Sequence, residues 1–273
     1  MLAAIAIVVT TPVLEDIVDE VTCSGVQVKT LESRDSDPHT FEATPQTVRA
    51  LKTAEAAIFV GAGLEGWLKP GMLQGATRRL ELASVLPLRK DGSSTERRPT
   101  VDPHFWHSPR FVLQAAQKIG AFVAGLPGAD KTKIAACEKD FEKRLIQAEQ
   151  TTRNILAKVP PQKRIVAVTH ESLAYFGEAF GFRVVSLQGV STEASPTPEA
   201  VRSLVKTIRA EKIKAVFVET GSQRKLMDAV AREAQVTIGG ELVADVLAAK
   251  GAPGGNILGM WQANAQTIAN ALN

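Results

Sequence analysis

Only two cysteines occur in the 273 residues, so the disulfide framework that holds small secreted domains together is excluded. Excess charge is scarce as well. The formal net charge is +3, and no Lys/Arg block or RNA-type aromatic motif accompanies it, which argues against nucleic acid as a partner. No apolar run reaches the ~20 residues that a membrane-spanning helix needs. The motifs of nucleophilic and phosphoryl chemistry are missing too: there is no Gly-x-Ser-x-Gly elbow, no phosphate loop and no His-Glu-x-x-His helix. Gly61-Ala62-Gly63-Leu64-Glu65-Gly66 matches a dinucleotide fingerprint literally. Trp67 follows the third glycine at once, however, and no acidic ribose partner ends a following strand, so nucleotide binding is not expected. What remains is 45% hydrophobic and 22% charged, which excludes intrinsic disorder. The length allows one large domain or two small ones.

Short apolar runs alternate with amphipathic stretches, the signature of parallel sheets with crossover helices. In the first half the strand-like runs are Ala3–Val9, Val26–Leu31, Ala56–Val60 and Ala83–Leu88. Helical patterns lie at Pro12–Val21, Thr44–Thr53, Leu64–Leu80 and Pro109–Val123, and the polar stretch Lys90–Thr100 reads as a mobile loop. Met1 to Val9 lacks a basic leader and a cleavage site, so it is read as the first strand and not as a signal peptide. If the protein is exported, its leader is absent from this sequence. The second half repeats the alternation, with strands at Arg164–Val168, Arg183–Leu187, Ala215–Val218 and Val236–Gly239. Its helices fall at Glu171–Phe180, Pro198–Glu211, Gln223–Ala234 and Leu258–Leu272, with Thr197 as an N-cap before Pro198.

Between the halves, Ala129 to Val159 carries one apolar stripe: Ile134, Cys137, Phe141, Leu145, Ala148, Ile155 and Val159, with Thr152 as a polar gap. A helix of about 28 residues is ~42 Å long, enough to run beside both halves. Pro160-Pro161 ends it. The expected fold is therefore α/β, with two lobes built mainly on parallel sheets: residues 1–128, a rigid joining helix 129–159, and residues 160–273.

Histidine is rare, and its placement is the strongest chemical signal. Of four histidines, two stand in the same phrase, Asp-Pro-His-x-aromatic, at Asp37–Phe41 and Asp102–Trp106. Proline fixes the backbone before each ring, and each aspartate is placed to orient its histidine. His170 follows the apolar run 165–169 directly, at the carboxyl end of a parallel strand, where open α/β sheets bind ligands. His39 stands in a similar position in the other half. Three imidazoles on separate strand-end loops suggest convergence on one metal ion.

At these residues the sequence resembles the metal-binding solute-binding proteins of ABC importers for zinc and manganese, the cluster A-I (cluster 9) family. The resemblance runs through VVTTP at 8–12, DPHTFEATPQTVRAL at 37–51, AIFVGAGLEGWL at 57–68 and VDPHFWHSP at 101–109. It continues through VTHESLAYFGEAFG at 168–181, SPTPEAVRSLVKTIRAEKIKAVFVE at 195–219 and GGELVADVLAAKGAPGG at 239–255. It implies four metal ligands, His39, His104, His170 and Asp245, the last of which periodicity alone does not single out. It also implies a receptor and not an enzyme: a periplasmic or surface-anchored monomer that takes Zn2+ in the cleft between its lobes and delivers it to a membrane permease. A periplasmic metallochaperone is a further partner it allows. Histidine in the third ligand position points to zinc over Mn2+, in line with the softer, nitrogen-rich donor set.

Alternatives stand beside this reading. The chain could be a manganese receptor of the same family, a zinc-dependent hydrolase using the three histidines, or an adhesin-like protein or metallochaperone. The His- and acid-rich loop of many zinc-type members has no counterpart, since Lys90–Thr100 contains no histidine. His107 is expected to be solvated, Glu171 to lie at the surface or behind a ligand, and Glu219 to be at most an accessory group in the cleft. Affinity is expected to fall below pH ~6.5, where free imidazole protonates. The Gly251–Gly255 segment is the candidate mobile part. Cys137 reads as a buried thiol; in an oxidising compartment a bridge to Cys23 would tie the first helix to the long one.

Overall fold

The computed structural model describes residues 6–90, 101–222 and 224–273. Residues 3–5 of the first expected strand, 91–100 of the polar loop and Gln223 at an expected helix start lie outside them. The first lobe begins with β1 (Ala6–Val9), α1 (Pro12–Thr22), β2 (Gln27–Thr30), α2 (Pro45–Thr53), β3 (Ala56–Phe59), β4 (Arg78–Glu81), α3 (Leu82–Val85) and α4 (Pro109–Ala124). The long helix α5 (Lys131–Leu156) follows. The second lobe holds β5 (Ile165–Val168), α6 (Ala174–Phe180), β6 (Arg183–Ser186), α7 (Pro198–Ala210), β7 (Ala215–Glu219), α8 (Arg224–Ala234), β8 (Thr237–Leu242) and α9 (Ile257–Leu272).

Both sheets are parallel and share one order, β2-β1-β3-β4 in the first lobe and β6-β5-β7-β8 in the second. In each, the chain winds first one way and then the other. The direction changes between β1 and β3, and between β5 and β7, and the crevice at that reversal is where such sheets hold ligands. Local chemistry sets the element starts. Thr11 caps α1 by accepting a hydrogen bond from Leu14 N, with Pro12 in the first turn. Thr44 and Thr47 form a reciprocal capping box on α2, and Thr197 caps α7 through Ala200 N as the sequence suggests.

The fourth strand departs from the sequence reading. Residues 64–80 are not a helix: they form turns, a short 3-10 segment at Pro70–Leu73, and then β4. Pro70, Gly71 and Gly75 break the helical pattern, and a Cβ on Gly75 would lie 1.9 Å from Lys52 O. β4 escapes an apolar-run criterion because it is an edge strand, RRLE, with only Leu80 buried. The apolar run at 83–88 instead falls on α3 and the extended segment after it, where Leu82 and Leu86 are buried.

In the second lobe β8 runs beyond its expected end at Gly239 to Leu242. A bulge opposite Val216/Phe217 makes this possible: Ile238 pairs with Val216, Gly240 with Phe217, and Gly239 is the extra residue. A Cβ on Gly239 would meet Phe217 Cε1 at 2.7 Å. The bulge re-aims the chain toward the loop that carries Asp245.

α5 packs on α1 and α4 at one end and along α9. Its buried stripe is Ile134, Cys137, Phe141, Leu145, Ala148, Thr152 and Leu156. Leu156 is buried where the sequence pattern favoured Ile155, which is only partly buried. Thr152, the polar gap, donates its hydroxyl to Ala148 O one turn back and so needs no outside partner. Cys23 and Cys137 are joined by a disulfide with 5.8 Å between Cα atoms, linking the end of α1 to α5. The apolar core of the first lobe also takes in Val243, Leu247, Ile257, Met260 and Trp261 from the second. Trp261 Nε1 donates to Trp106 O and Trp106 Nε1 donates to Ala244 O, both at 2.9 Å, so the two buried indoles are satisfied across the seam.

Candidate metal centre

His39, His104, His170 and Asp245 come together at the seam, each with one donor atom within 4.8 Å of all the others. All four are buried, with exposures of 6%, 0%, 2% and 6%. They arrive from four places: the connections after β2, α3 and β8, and the end of β5. His39 Nε2 lies 3.2 Å from His104 Nε2 and 3.9 Å from Asp245 Oδ2. Asp245 Oδ1 lies 3.2 Å from His104 Nε2, and its Oδ2 lies 3.0 Å from His170 Nε2. Four ligands at ~2.05 Å around a tetrahedral ion stand ~3.3 Å apart, so these separations are those of a coordination shell. Both nitrogens of His170 and Asp245 Oδ1 are buried without a well-formed hydrogen bond. Polar atoms left so are costly unless a further group meets them.

A second tier of residues aims these four side chains. The two Asp-Pro-His phrases act differently. Asp37 Oδ1 accepts only the backbone N–H of His39, at 2.9 Å, and fixes the turn. Asp102 Oδ1 accepts both His104 N and His104 Nδ1, at 3.0 and 2.8 Å. That second bond keeps the ring proton on Nδ1 and turns the Nε2 lone pair inward. Asp102 Oδ2 in turn accepts from Arg89 Nη1 at 2.8 Å, and Arg89 also reaches Glu171 and Glu178. Burial alone would raise Asp102, but its bonds and charge pairing with His104 and Arg89 hold it below the ordinary carboxylate value.

Glu219, the last residue of β7, does the same for His170. It is fully buried, and its Oε2 accepts Thr169 N and His170 N at 2.9 and 3.0 Å. Its Oε1 accepts the Ser172 hydroxyl and lies 3.1 Å from His170 Nδ1, a close ionic contact without ideal hydrogen-bond alignment. Glu219 is more than the accessory expected of a carboxylate without a partner, because β7 lies beside β5 and supplies one. Glu171 binds Arg89 and so stands behind His104, not in the shell.

His107 corrects an expectation. It is wholly buried, not solvated, and its Nε2 donates to Ala244 O at 3.1 Å. Burial pushes its pKa down to about 3, so the ring is neutral. With Trp106 it grips the carbonyl just before Asp245. Arg34 holds the following segment, donating from Nη1 to Ala248 O and Gly255 O at 2.7 and 2.9 Å. The Gly251–Gly255 stretch is thus tied at its end to the first lobe. Sequence patterning gave no signal for Arg34 or His107, because both act through backbone carbonyls far away in the chain.

The glycine-rich turn at 61–63 is not a phosphate cradle. Its φ values are positive throughout, no helix follows, and Glu65 already accepts from Val60 N, Gly61 N and the Thr10 hydroxyl. The acceptor a phosphate would supply is built into the chain.

The carboxylates around the centre hold positive charge on two of its three rings. Burial would lower His104, but Asp245 and Asp102 outweigh it and push the ring up to about 9. His170 is likewise carried well above the ordinary imidazole value, against burial, by Glu219 and Asp245. His39, buried and facing two other rings, is pushed down to about 3.

The family model described as "Zinc-uptake complex component A periplasmic" matches residues 7–271. The chain is 32% identical to the manganese-binding lipoprotein MntA of Bacillus subtilis, covering 96% of this chain and 88% of that one. It is 27% identical to the zinc-binding protein TroA of Treponema pallidum, with 97% and 88% covered. The solved structure of the periplasmic zinc-binding protein TroA from Treponema pallidum superposes with a TM-score of 0.91 at 25% identity, over 99% of both chains. Among the described residues no helix is long and apolar enough to cross a membrane. The chain belongs to this family of metal-binding ABC-transporter solute-binding proteins, which are receptors and not enzymes.

Proposed function

We propose that the protein captures zinc outside the cytoplasmic membrane, with His39 Nε2, His104 Nε2, His170 Nε2 and Asp245 as ligands, and delivers it to the permease of an ABC importer. The observation that carries the reading is the buried set of four donors within 4.8 Å. Three imidazole nitrogens and one carboxylate suit zinc, and zinc outranks manganese in the divalent affinity series. Four protein ligands also close the shell and leave no position for a reactive water, which suits carriage and not hydrolysis. The disulfide fits an oxidising compartment, and the family description and the lipoprotein relative support an extracytoplasmic place.

Manganese is the second reading. It is favoured by the relative named for manganese at 32% identity, and by both Asp245 oxygens facing the cluster, which allows a chelating carboxylate and a larger shell. Anaerobic titration of metal-free protein with zinc and with manganese separates the two. Replacing His39, His104, His170 and Asp245 singly by alanine should weaken the preferred ion in each case. Unchanged affinity in all four variants would refute the site, and tighter manganese binding would reverse the choice of ion.

A further inference from the structure

Next to the four-residue cluster lies a separate cavity of ≈ 180 Å³. Asp37 and Thr40 of the first lobe wall one side, and Thr169, Gln188, Thr192 and Ser222 of the second wall the other. Three of its lining residues neighbour the cluster through the chain or a hydrogen bond. Asp37 holds the His39 backbone, Thr169 precedes His170, and Ser222 accepts from the backbone of Glu219. One hydrogen bond spans the two lobes at the cavity, from the Thr192 hydroxyl to Asp37 Oδ2 at 2.6 Å, among the described residues that line it. Thr169 is 3% exposed, and its hydroxyl oxygen is buried with no hydrogen-bond partner. A buried hydroxyl without a partner beside a cavity marks a place for a ligand or its water.

The lining defines the chemistry of the guest. Beside the apolar Pro196 and Leu226 it offers hydroxyl and amide oxygens and one charged group, the Asp37 carboxylate, so an anion is disfavoured and a cation favoured. The volume is ample for several waters, and so for an ion that keeps part of its hydration shell. The oxygen atoms can replace those waters one at a time, which lowers the dehydration barrier before the nitrogen ligands take over.

We infer that this cavity is an entry vestibule: it receives the divalent cation still partly hydrated, with Asp37 as its first charged contact, and passes it to His39 and His170. The inference rests on the four-residue cluster being the metal site. It makes Thr192–Asp37 the latch at the mouth, and Ser195, exposed on the rim, the natural place to obstruct it.

The test uses Ser195→Cys, whose introduced thiol is the only free one because Cys23 and Cys137 are bonded to each other. The purified, folded variant is labelled with a bulky maleimide and compared with its unlabelled self. Association of Zn2+ is followed by stopped flow and dissociation by transfer to a chelator. A vestibule predicts that the label slows both rates by about tenfold or more while their ratio, the equilibrium affinity, stays within about threefold. Unchanged rates would overturn the inference. So would a label that weakens equilibrium binding without slowing entry, because the cavity would then be part of the bound state. If wild type binds neither zinc nor manganese, the metal reading itself fails, a different result from either.

Discussion

Glu219→Gln should cost metal affinity while leaving the fold intact, and the structure says why. The Oε2 position faces two backbone donors, Thr169 N and His170 N. A glutamine must place its amide oxygen there, since an NH2 group opposite two N–H donors would leave all of them unpaired. The NH2 then occupies the Oε1 position, 3.1 Å from His170 Nδ1. Facing a donor, that ring nitrogen becomes an acceptor and the ring proton moves to Nε2, the atom turned toward Asp245. The lone pair needed for the ion is lost until the tautomer reverts. Changes behind a metal-bound histidine weaken affinity about 10–100-fold, or roughly 1.4–2.7 kcal/mol. Competition titration against a chelator of known affinity measures it, with near-ultraviolet circular dichroism as the control for folding. Asp102→Asn should act differently on His104: the one oxygen that accepts both His104 N and Nδ1 stays an oxygen in asparagine, so the tautomer is kept, and the loss falls on the Arg89 pairing, where an NH2 would face the guanidinium. An affinity for Glu219→Gln within about twofold of wild type would refute the tautomer argument, since the expected loss is at least about tenfold.

Further outcomes follow from the same contacts. His104 and His170 both sit above the ordinary imidazole value before an ion arrives, so binding must expel protons. Affinity should fall roughly 10- to 100-fold per unit as pH drops from 8 to 6, starting above the pH ~6.5 that free imidazole suggests. Calorimetry in buffers of different ionisation enthalpy counts the protons, and none released would contradict the reading. Replacing Cys23 and Cys137 by alanine opens a loop with a sequence separation of 114. Chain entropy puts the loss at about 4.8 kcal/mol, or a melting point ~8 °C lower, with zinc affinity unchanged; a shift under ~2 °C would contradict it. Asp16, whose Oδ2 accepts Ile257 N, is pushed up to about 6 by burial. It takes up a proton on folding, so its contribution is fully present below pH ~4 and lost as pH rises through about 6. Asp16→Asn keeps the acceptor and should be more stable than wild type by about 1–3 kcal/mol at pH 7 but not at pH 4, as urea unfolding at the two pH values would show.

Much of this site was legible in the chain because rare residues sat in constrained places. Two Asp-Pro-His phrases and a histidine at a strand end mark three members of the buried cluster without any coordinates. Asp245 was not legible that way: it is one carboxylate in a loop, and only likeness to a family pointed to it. The supporting residues were hidden for a further reason. Glu219 matters because β7 lies beside β5, and His107 because it meets Ala244, 137 positions away. Residue order carries no signal for such contacts. The misplaced fourth strand has a related cause: RRLE at a sheet edge buries one side chain, so its hydrophobic period is too weak to see.

The Trp106 indole and the His104 ring meet in a T-shaped arrangement, with 5.2 Å between centroids. That places an intrinsic fluorophore within a few ångströms of whatever the imidazoles hold. A paramagnetic guest such as Mn2+ should quench its emission through space, whereas closed-shell Zn2+ should not. The molecule therefore carries its own optical gauge of cargo identity, readable without a dye.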